Sequence, residues 1–400
     1  MTPAGRTEAA IELLGAILEG QRPADAVAND FFRARRFIGS GDRRAIAERV
    51  WRVLRSYRRL GWWLLDQPTP RLLVAASLLL DGWTLDDFTG GRFAPDALAP
   101  SEGAVLSRLE GRALDHPSMP ETVRLEAPDW IVARISAENL RALLEPATLD
   151  LRVNLLKATR DEARAALAAE GVQASPTPLS PWGLRIEGRR QVTNGRAFRE
   201  GLVEIQDEGS QLVAALVDAR PGMRVVDLCA GAGGKTLALS TTMQNRGQLI
   251  ACDVSAARLH NAVRRFRRAG VHNVERHLLA RGDKWIKRHA GQFDRVLVDA
   301  PCTGTGTWRR NPDARLRLSV NDMTGLLSKQ AGILDQAASL VRKGGRLVYA
   351  TCSLLAEENE DQVTAFLSRH PDFAQTDGLA LSPAQHATDG FFAAVLERNT

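Results

Sequence analysis

Val225-Val226-Asp227-Leu228-Cys229-Ala230-Gly231-Ala232-Gly233-Gly234-Lys235-Thr236 is an apolar run that ends in an acid, followed by small residues and glycines, then a helix-like segment to Ser240. The order is strand, tight turn, helix. Glycines let the backbone of such a turn approach a ligand with no side chain in the way. The N–H groups at the start of the helix then face that ligand. Three uses compete with a plain turn. A phosphate-binding loop needs a glycine five positions before Gly234, and Cys229 stands there. A dinucleotide fingerprint G-x-G-x-x-G needs a third glycine where Thr236 stands. The third use is an S-adenosylmethionine (SAM) site, in which Cys229, Ala230, Gly231, Ala232, Gly233, Gly234 and Lys235 would form the cofactor loop.

From Pro221 onward the pattern of strand and helix repeats. Apolar strands are expected at Met223 to Leu228, Gln248 to Cys252, Asp294 to Val298 and Gly345 to Tyr349, with a weaker one at Asn273 to Leu278. Near-continuous apolar runs separated by helices predict an α/β fold, a doubly wound parallel sheet covered on both faces. Such sheets bind ligands beyond the carboxyl ends of their strands, and polar residues stand in those places. Asp227 ends the first strand and Asp253 the second, about twenty residues beyond the glycines, where a carboxylate can bind both ribose hydroxyls. Asp283 follows the third, after Leu279-Ala280-Arg281-Gly282. Asp299-Ala300-Pro301-Cys302 ends the fourth and Thr351-Cys352-Ser353 the fifth.

Upstream, residues 129–219 read as a small α/β unit. Helices are expected near Trp130 to Leu144 and Asp161 to Glu170, and strands at Leu149 to Leu155 and Leu184 to Glu187. Residues 116–128 carry Pro117, Pro120 and Pro128, lack periodicity and read as a linker. Residues 1–115 read as an all-α domain, with Ile11, Leu14, Ile17 and Leu18, then Ile46, Val50, Val53, Leu54 and Tyr57, at helical spacing. Arginines crowd this region at 33, 35, 36, 43, 44, 49, 52, 55, 58 and 59. Their density predicts RNA contact through phosphates, with little reading of sequence. Phe31, Phe32, Trp51 and Tyr57 are expected in the core rather than as stacking platforms.

The totals agree with a globular enzyme. The chain has 400 residues, 44% hydrophobic and 25% charged, with a net charge of +6. The pI is about 9.5; a mildly basic protein suits a polyanionic partner. Four widely spaced cysteines without a CxxC pair argue against zinc and against a disulfide framework, and for a reducing cytoplasm. The polar N-terminus does not read as a signal peptide. The run Leu72 to Leu80 is too short to span a bilayer, so no membrane partner is expected.

Cys302 and Cys352 are expected at the ends of adjacent strands, beside the SAM loop. A methyl donor next to a cysteine nucleophile has a specific use. C5 of cytosine is too electron-poor to take a methyl group unaided. A thiolate that adds to C6 makes C5 enamine-like, and loss of the C5 proton later expels the thiolate. Asp299 is placed to support this at the N3/N4 edge of a base that is unpaired or flipped.

Asp299-Ala300-Pro301-Cys302-Thr303-Gly304-Thr305-Gly306 resembles one signature of the Sun-type RNA cytosine-5 methyltransferases. Thr351-Cys352-Ser353 resembles another, Arg152-Val153-Asn154-Leu155-Leu156-Lys157 a third, Gln206-Asp207-Glu208-Gly209-Ser210-Gln211 a fourth and Asp389-Gly390-Phe391-Phe392 the last. The resemblance implies that Cys352 is the nucleophile, that Cys302 assists product release, and that Asp299 and Lys157 help in the active site. It implies that SAM is held by the glycine loop, by Asp253 at the ribose and by Asp283 at the adenine amine, with no metal. It also implies a SAM-dependent Rossmann-like catalytic domain at 220–400, an RRM-like or ferredoxin-like unit at 129–219 and a NusB-like RNA-binding domain at 1–115. The Arg309-Arg310-Asn311-Pro312 stretch resembles the family's loop that closes near substrate. The expected substrate is RNA, 16S rRNA before or during subunit assembly, and the expected enzyme is a monomer. Transfer RNA is the alternative substrate. A non-catalytic RNA-binding protein on this fold would have no use for two thiols there, and a NAD-type oxidoreductase would leave both without a role.

Overall fold

The computed structural model describes residues 1–65, 68–188, 191–280 and 282–400. Arg281, in the approach to Asp283, lies outside them. Contacts divide the chain into two compact units, Met1–Pro146 with Trp308–Leu318, and Ala147–Thr307 with Ser319–Thr400.

The first unit is helical. Its longer helices are Pro3–Glu19, Ala24–Ala34, Ser40–Arg55 and Pro70–Leu80. Thr2 caps the first by accepting from the Gly5 N–H, and Pro3 follows at the position where a missing N–H costs nothing. Leu13, Leu14, Ile17, Val50, Val53, Leu54, Leu73 and Val74 are buried in one core, with Phe31 buried and Phe32, Trp51 and Tyr57 packed against it. The apolar Leu72 to Leu80 run is therefore a core helix. No helix among the described residues is long and apolar enough to cross a membrane.

Two stretches differ from expectation. Residues 116–128 are packed rather than strung out. Met119, Leu125 and Ala127 are buried, and Glu126 is fully buried. The Glu126 carboxylate accepts from the N–H groups of Arg58 at 2.8 Å and Arg59 at 3.0 Å, and from the Arg59 guanidinium. The order of this segment comes from a buried carboxylate, which leaves no apolar period to read. Trp308–Leu318 also belongs to the helical unit. There Asp313 accepts from the Ala24 N–H at 2.9 Å, and the Arg315 guanidinium donates to the Leu143 carbonyl at 3.0 Å. Arg309, expected near substrate, is buried there.

The second unit holds two sheets. The smaller contains β1 (Leu149–Val153), β2 (Ala174–Pro176), β3 (Gly183–Ile186) and β4 (Val203–Ile205), antiparallel in the order β2-β3-β1-β4. Helix Arg160–Ala169 packs on it, started by a reciprocal cap between Thr159 and Glu162. The larger sheet contains β5 (Arg224–Asp227), β6 (Gln248–Asp253), β7 (Val274–Leu278), β8 (Phe293–Asp299), β9 (Val341–Thr351), β10 (Phe373–Leu381) and β11 (Phe391–Arg398). Their order is β10-β11-β9-β8-β5-β6-β7. β5 to β9 are mutually parallel, and β11 is antiparallel to both β9 and β10.

Alternate residues of the larger sheet enter different cores. Val226, Ile250, Val296 and Leu347 pack on one face with Leu334 and Ala337 of helix Val320–Leu340; Val225, Leu249, Leu297 and Val348 pack on the other with Val213 and Leu239. This is the doubly wound arrangement. Strand order reverses at β5, which lies between β6 and β8, so the crevice at its carboxyl end is the expected ligand position.

Candidate active site

The turn after β5 is built by its glycines in two different ways. Gly233 adopts φ +79° and starts helix Gly234–Thr242. A Cβ there would lie 2.6 Å from the Phe266 ring. Gly233 is therefore needed for close packing of two helices, and it does not line the cleft. Gly231, at φ +54°, does line the cleft, and a Cβ at this position would meet no protein atom within 4 Å. Its N–H donates to Asp253 Oδ2 at 2.8 Å, while Asp253 Oδ1 accepts from the Ser255 N–H at 2.7 Å. The second acid thus fixes the loop, and each of its oxygens keeps a further lone pair.

Two acids meet at the strand reversal. Asp227 is buried, with Oδ2 accepting from the Thr236 hydroxyl at 2.7 Å and Oδ1 without a partner. Burial pushes its carboxyl up to about 7 against the opposing hydrogen bond from Thr236. Asp299, at the end of β8, accepts from Lys235 Nζ at 2.7 Å. Burial alone would lower the Lys235 ammonium, but Asp299, with Cys352 and Asp227, offsets it and the net shift is upward. Asp283 accepts from His277 Nε2 at 2.6 Å and from the Trp285 N–H at 2.9 Å; the His277 contact holds its carboxyl below the usual range.

The thiols converge. Cys302 Sγ and Cys352 Sγ lie 3.5 Å apart, at the ends of the paired strands β8 and β9. Contact with Cys352, then burial, pushes the Cys302 thiol well up. Both cysteine loops are locked together. The Gly306 N–H donates to the Cys352 carbonyl at 3.0 Å and the Gly390 N–H to the Gly306 carbonyl at 2.9 Å. A Cβ on Gly306 would lie 2.3 Å from the Gly390 carbonyl oxygen, so the last motif packs backbone to backbone on the first. The Ser353 hydroxyl meets those of Thr303 and Thr305 at 3.3 and 3.1 Å. Cys229 also lines the cleft, but burial pushes its thiol up, as it does for Cys252.

One cleft of about 1430 Å³ is lined by Cys229, Ala230, Gly231, Ala232, Gly234, Lys235, Asp253, Asp283, Asp299, Cys302 and Cys352. That exceeds the roughly 300–1,000 Å³ of a pocket for one small ligand, and leaves room for a nucleoside cofactor and a second ring. Sequence reasoning missed Val254, 79% exposed, and Leu278, 44% exposed, which line it beside the acids. Apolar side chains exposed at a ligand cleft offer faces for a planar base. The free backbone at Gly231, the carboxylates and these apolar faces fit SAM. Among the described residues, no group of three or more His, Cys, Asp or Glu could hold a metal ion.

Lys157 is not brought into this cleft. Its ammonium donates to the carbonyls of Glu200 at 2.6 Å and Arg268 at 2.8 Å. The latter lies in the last turn of helix Ala256–Ala269, where carbonyls lack helical partners. Arg152 and Asn154 of the same motif are buried. Arg152 Nε donates to Gln206 Oε1 at 2.7 Å, and Asn154 Nδ2 donates to the carbonyls of Gly201 and Ala269 at 2.9 and 2.8 Å. In the helical unit several arginines expected at phosphates are engaged internally. Arg49 and Arg52 share Asp81, Arg33 pairs with Asp30, Arg35 with Glu12, and Arg59 with Asp115 and Glu126.

Comparison with known proteins agrees with this fold. Residues 214–397 match the family model of 16S rRNA methyltransferase RsmB/F, and residues 127–193 match the ferredoxin-like domain of RsmF/B-like methyltransferases. Ribosomal RNA small subunit methyltransferase B of Photorhabdus laumondii is 34% identical over 286 residues, covering 68% of this chain and 66% of that protein. The protein of the same name from Shewanella oneidensis is 32% identical over 314 residues, covering 74% and 72%. This chain therefore spans about two thirds of the length of these relatives. The crystal structure of PH0851 superposes with a TM-score of 0.80 at 26% identity, over 100% of this chain and 99% of that one. The fold is that of a SAM-dependent methyltransferase, and the chain belongs to the 16S rRNA methyltransferase RsmB/F family.

Proposed function

We propose that this protein methylates C5 of a cytosine in RNA, with 16S rRNA as the substrate, through a covalent bond between Cys352 and C6. The observation that carries the reading is the 3.5 Å approach of two thiols within the cleft that also holds the glycine loop. SAM bound there would supply an electrophilic methyl group. Gly231 and its neighbours would receive the methionine part, Asp253 the ribose hydroxyls and Asp283 the adenine amine. Cys352 adds to C6 of an unpaired cytosine, and Asp299 supports the addition at the N3/N4 edge. The enamine formed makes C5 nucleophilic enough to accept the methyl group. Water then takes the C5 proton, the C5–H electrons re-form the C5–C6 double bond, and the C6–S bond breaks. Cys352 leaves as thiolate, stabilised by a hydrogen bond from the Cys302 thiol, whose raised pKa keeps its proton in place.

Cys352→Ala is expected to abolish methyl transfer while SAM still binds; retained activity would assign the nucleophile elsewhere. Cys302→Ala is expected to accumulate a denaturant-stable protein–RNA adduct, and its absence would remove the release role. Bisulfite sequencing of total RNA with and without the gene identifies the substrate. A cytosine lost from the transfer RNA reads and not from 16S rRNA would replace the substrate proposed here.

A further inference from the structure

We infer that Glu358, braced by Gln330, is a positioning residue for product release, holding Cys302 against Cys352 by fastening the residues on both sides of it. The inference rests on the covalent reading above. Thr303, immediately after Cys302, donates its N–H to Glu358 Oε1 at 2.9 Å and its hydroxyl to Oε2. Pro301, immediately before Cys302, accepts from Gln330 Nε2 at 3.0 Å. The same Nε2 donates to Glu358 Oε1 at 3.0 Å, which closes the clamp. The Tyr349 hydroxyl, in β9, donates to the Glu358 carbonyl at 2.7 Å and ties the clamp to the strand that ends in Cys352.

The arrangement is costly, which argues for a use beyond holding a loop. Glu358 and Gln330 are both fully buried. Burying a carboxylate is unfavourable even when hydrogen-bonded. Both partners of Gln330 Nε2 are acceptors, which fixes the amide orientation and leaves its Oε1 buried without a partner. Apolar packing would hold a loop at less cost. Glu358 does not line the cleft, so it acts on the chemistry through the residues it fastens, those on either side of Cys302 first. Contact with Cys352 and burial chiefly raise the Cys302 thiol, and the Glu358 carboxylate adds to them, favouring the protonated form that donates to the departing thiolate.

The test is single-turnover methylation of transcribed 16S rRNA by the full chain with SAM, with adduct formation and decay followed on denaturing gels. Glu358→Gln is expected to form adduct within about twofold of the wild-type rate and to clear it about tenfold more slowly or worse. In a Cys302→Ala background it should slow decay no further. Decay at the wild-type rate, a parallel loss of formation and decay, or an additive effect with Cys302→Ala would each overturn the inference. Should Glu358→Gln fail to fold, Thr303→Val decides. It should slow decay in the same way, with Thr303→Ser recovering most of the loss, and equal rates in both would overturn the clamp. A Cys302→Ala protein that traps no adduct removes the release role of Cys302 and this inference with it, whereas a Cys352→Ala protein that still methylates sinks the covalent reading. A Cys302→Ala trap alongside normal decay in Glu358→Gln sinks this inference alone.

Discussion

Gly231 and Gly233 stand two positions apart and do different work, and substitution separates them. Gly233→Ala puts a methyl group 2.6 Å from the Phe266 ring at φ +79°. Strain and overpacking should together cost about 2 to 4 kcal/mol of stability, read as a lowered denaturation midpoint. Gly231→Ala meets no protein atom and should cost only about 1 kcal/mol, while SAM affinity falls because the new methyl group occupies the cleft. Calorimetric titration with SAM distinguishes the two. Asp227 supplies a pH signature. Its folded pKa of about 7 lies above the ordinary aspartate value of 3.8, so between those values the fold keeps a proton that the unfolded chain has lost. Its contribution therefore decreases as pH rises from about 4 to 7, by at most about 4 kcal/mol. Asp227→Asn should flatten that part of the stability–pH curve; an unchanged slope would locate the titration elsewhere.

At the scale of elements, legibility follows the apolar pattern. β5, β6, β8 and β9 are buried parallel strands and read as near-continuous apolar runs with a polar residue at the end, which is why Asp227, Asp253, Asp299 and Cys352 can be placed from sequence. β7 lies at the sheet edge with exposed residues, hence its weak signal. β10 and β11 are not read as strands from sequence. The first is largely exposed and has no regular alternation; the second is a near-continuous buried apolar run, Phe391 to Leu396, that sequence reasoning takes only as the Asp389 to Phe392 motif. The clamp around Cys302 is also hidden, because Gln330 lies 28 residues from Glu358, the residue that holds Thr303, and no local period joins them. The Arg152–Lys157 stretch is legible as a motif but not in its use. Asn154 joins the small sheet to helix Ala256–Ala269 through two carbonyls. Asn154→Ala leaves both without that donor, at about 2 to 4 kcal/mol. Hydrogen exchange should show protection falling first in β1 and β4 while β5 and β8 remain slow. Uniform loss across both sheets would mean that they unfold as one.

For the whole molecule, the excess of 53 basic over 47 acidic residues says less about RNA than where the unpaired charge sits. Asp81 takes both Arg49 and Arg52, so removing those arginines strands a largely buried carboxylate and should lower stability before it lowers affinity. Arg36 and Arg44 are exposed and have no ion-pair partner among the described residues, and Phe37, beside Arg36, is 76% exposed. A guanidinium with no internal carboxylate is free to replace counterions on phosphate, and an exposed ring offers a face to an unpaired base. Every phosphate that a variant no longer neutralises should reduce the slope of log affinity against log salt by about 0.7 on single-stranded RNA and about 0.9 on a duplex. The Arg36→Gln, Arg44→Gln double variant is therefore expected to weaken RNA binding at low salt, to flatten the slope by about 1.5 and to leave the melting temperature near that of the parent. Arg49→Gln, Arg52→Gln is expected to show the opposite balance, a lower melting temperature with a smaller change in slope. Binding isotherms at four or more salt concentrations, with melting curves on the same preparations, decide between them. If the first pair leaves the slope unchanged, the outward arginines of this helical unit only solvate its surface, and RNA is held by other cations.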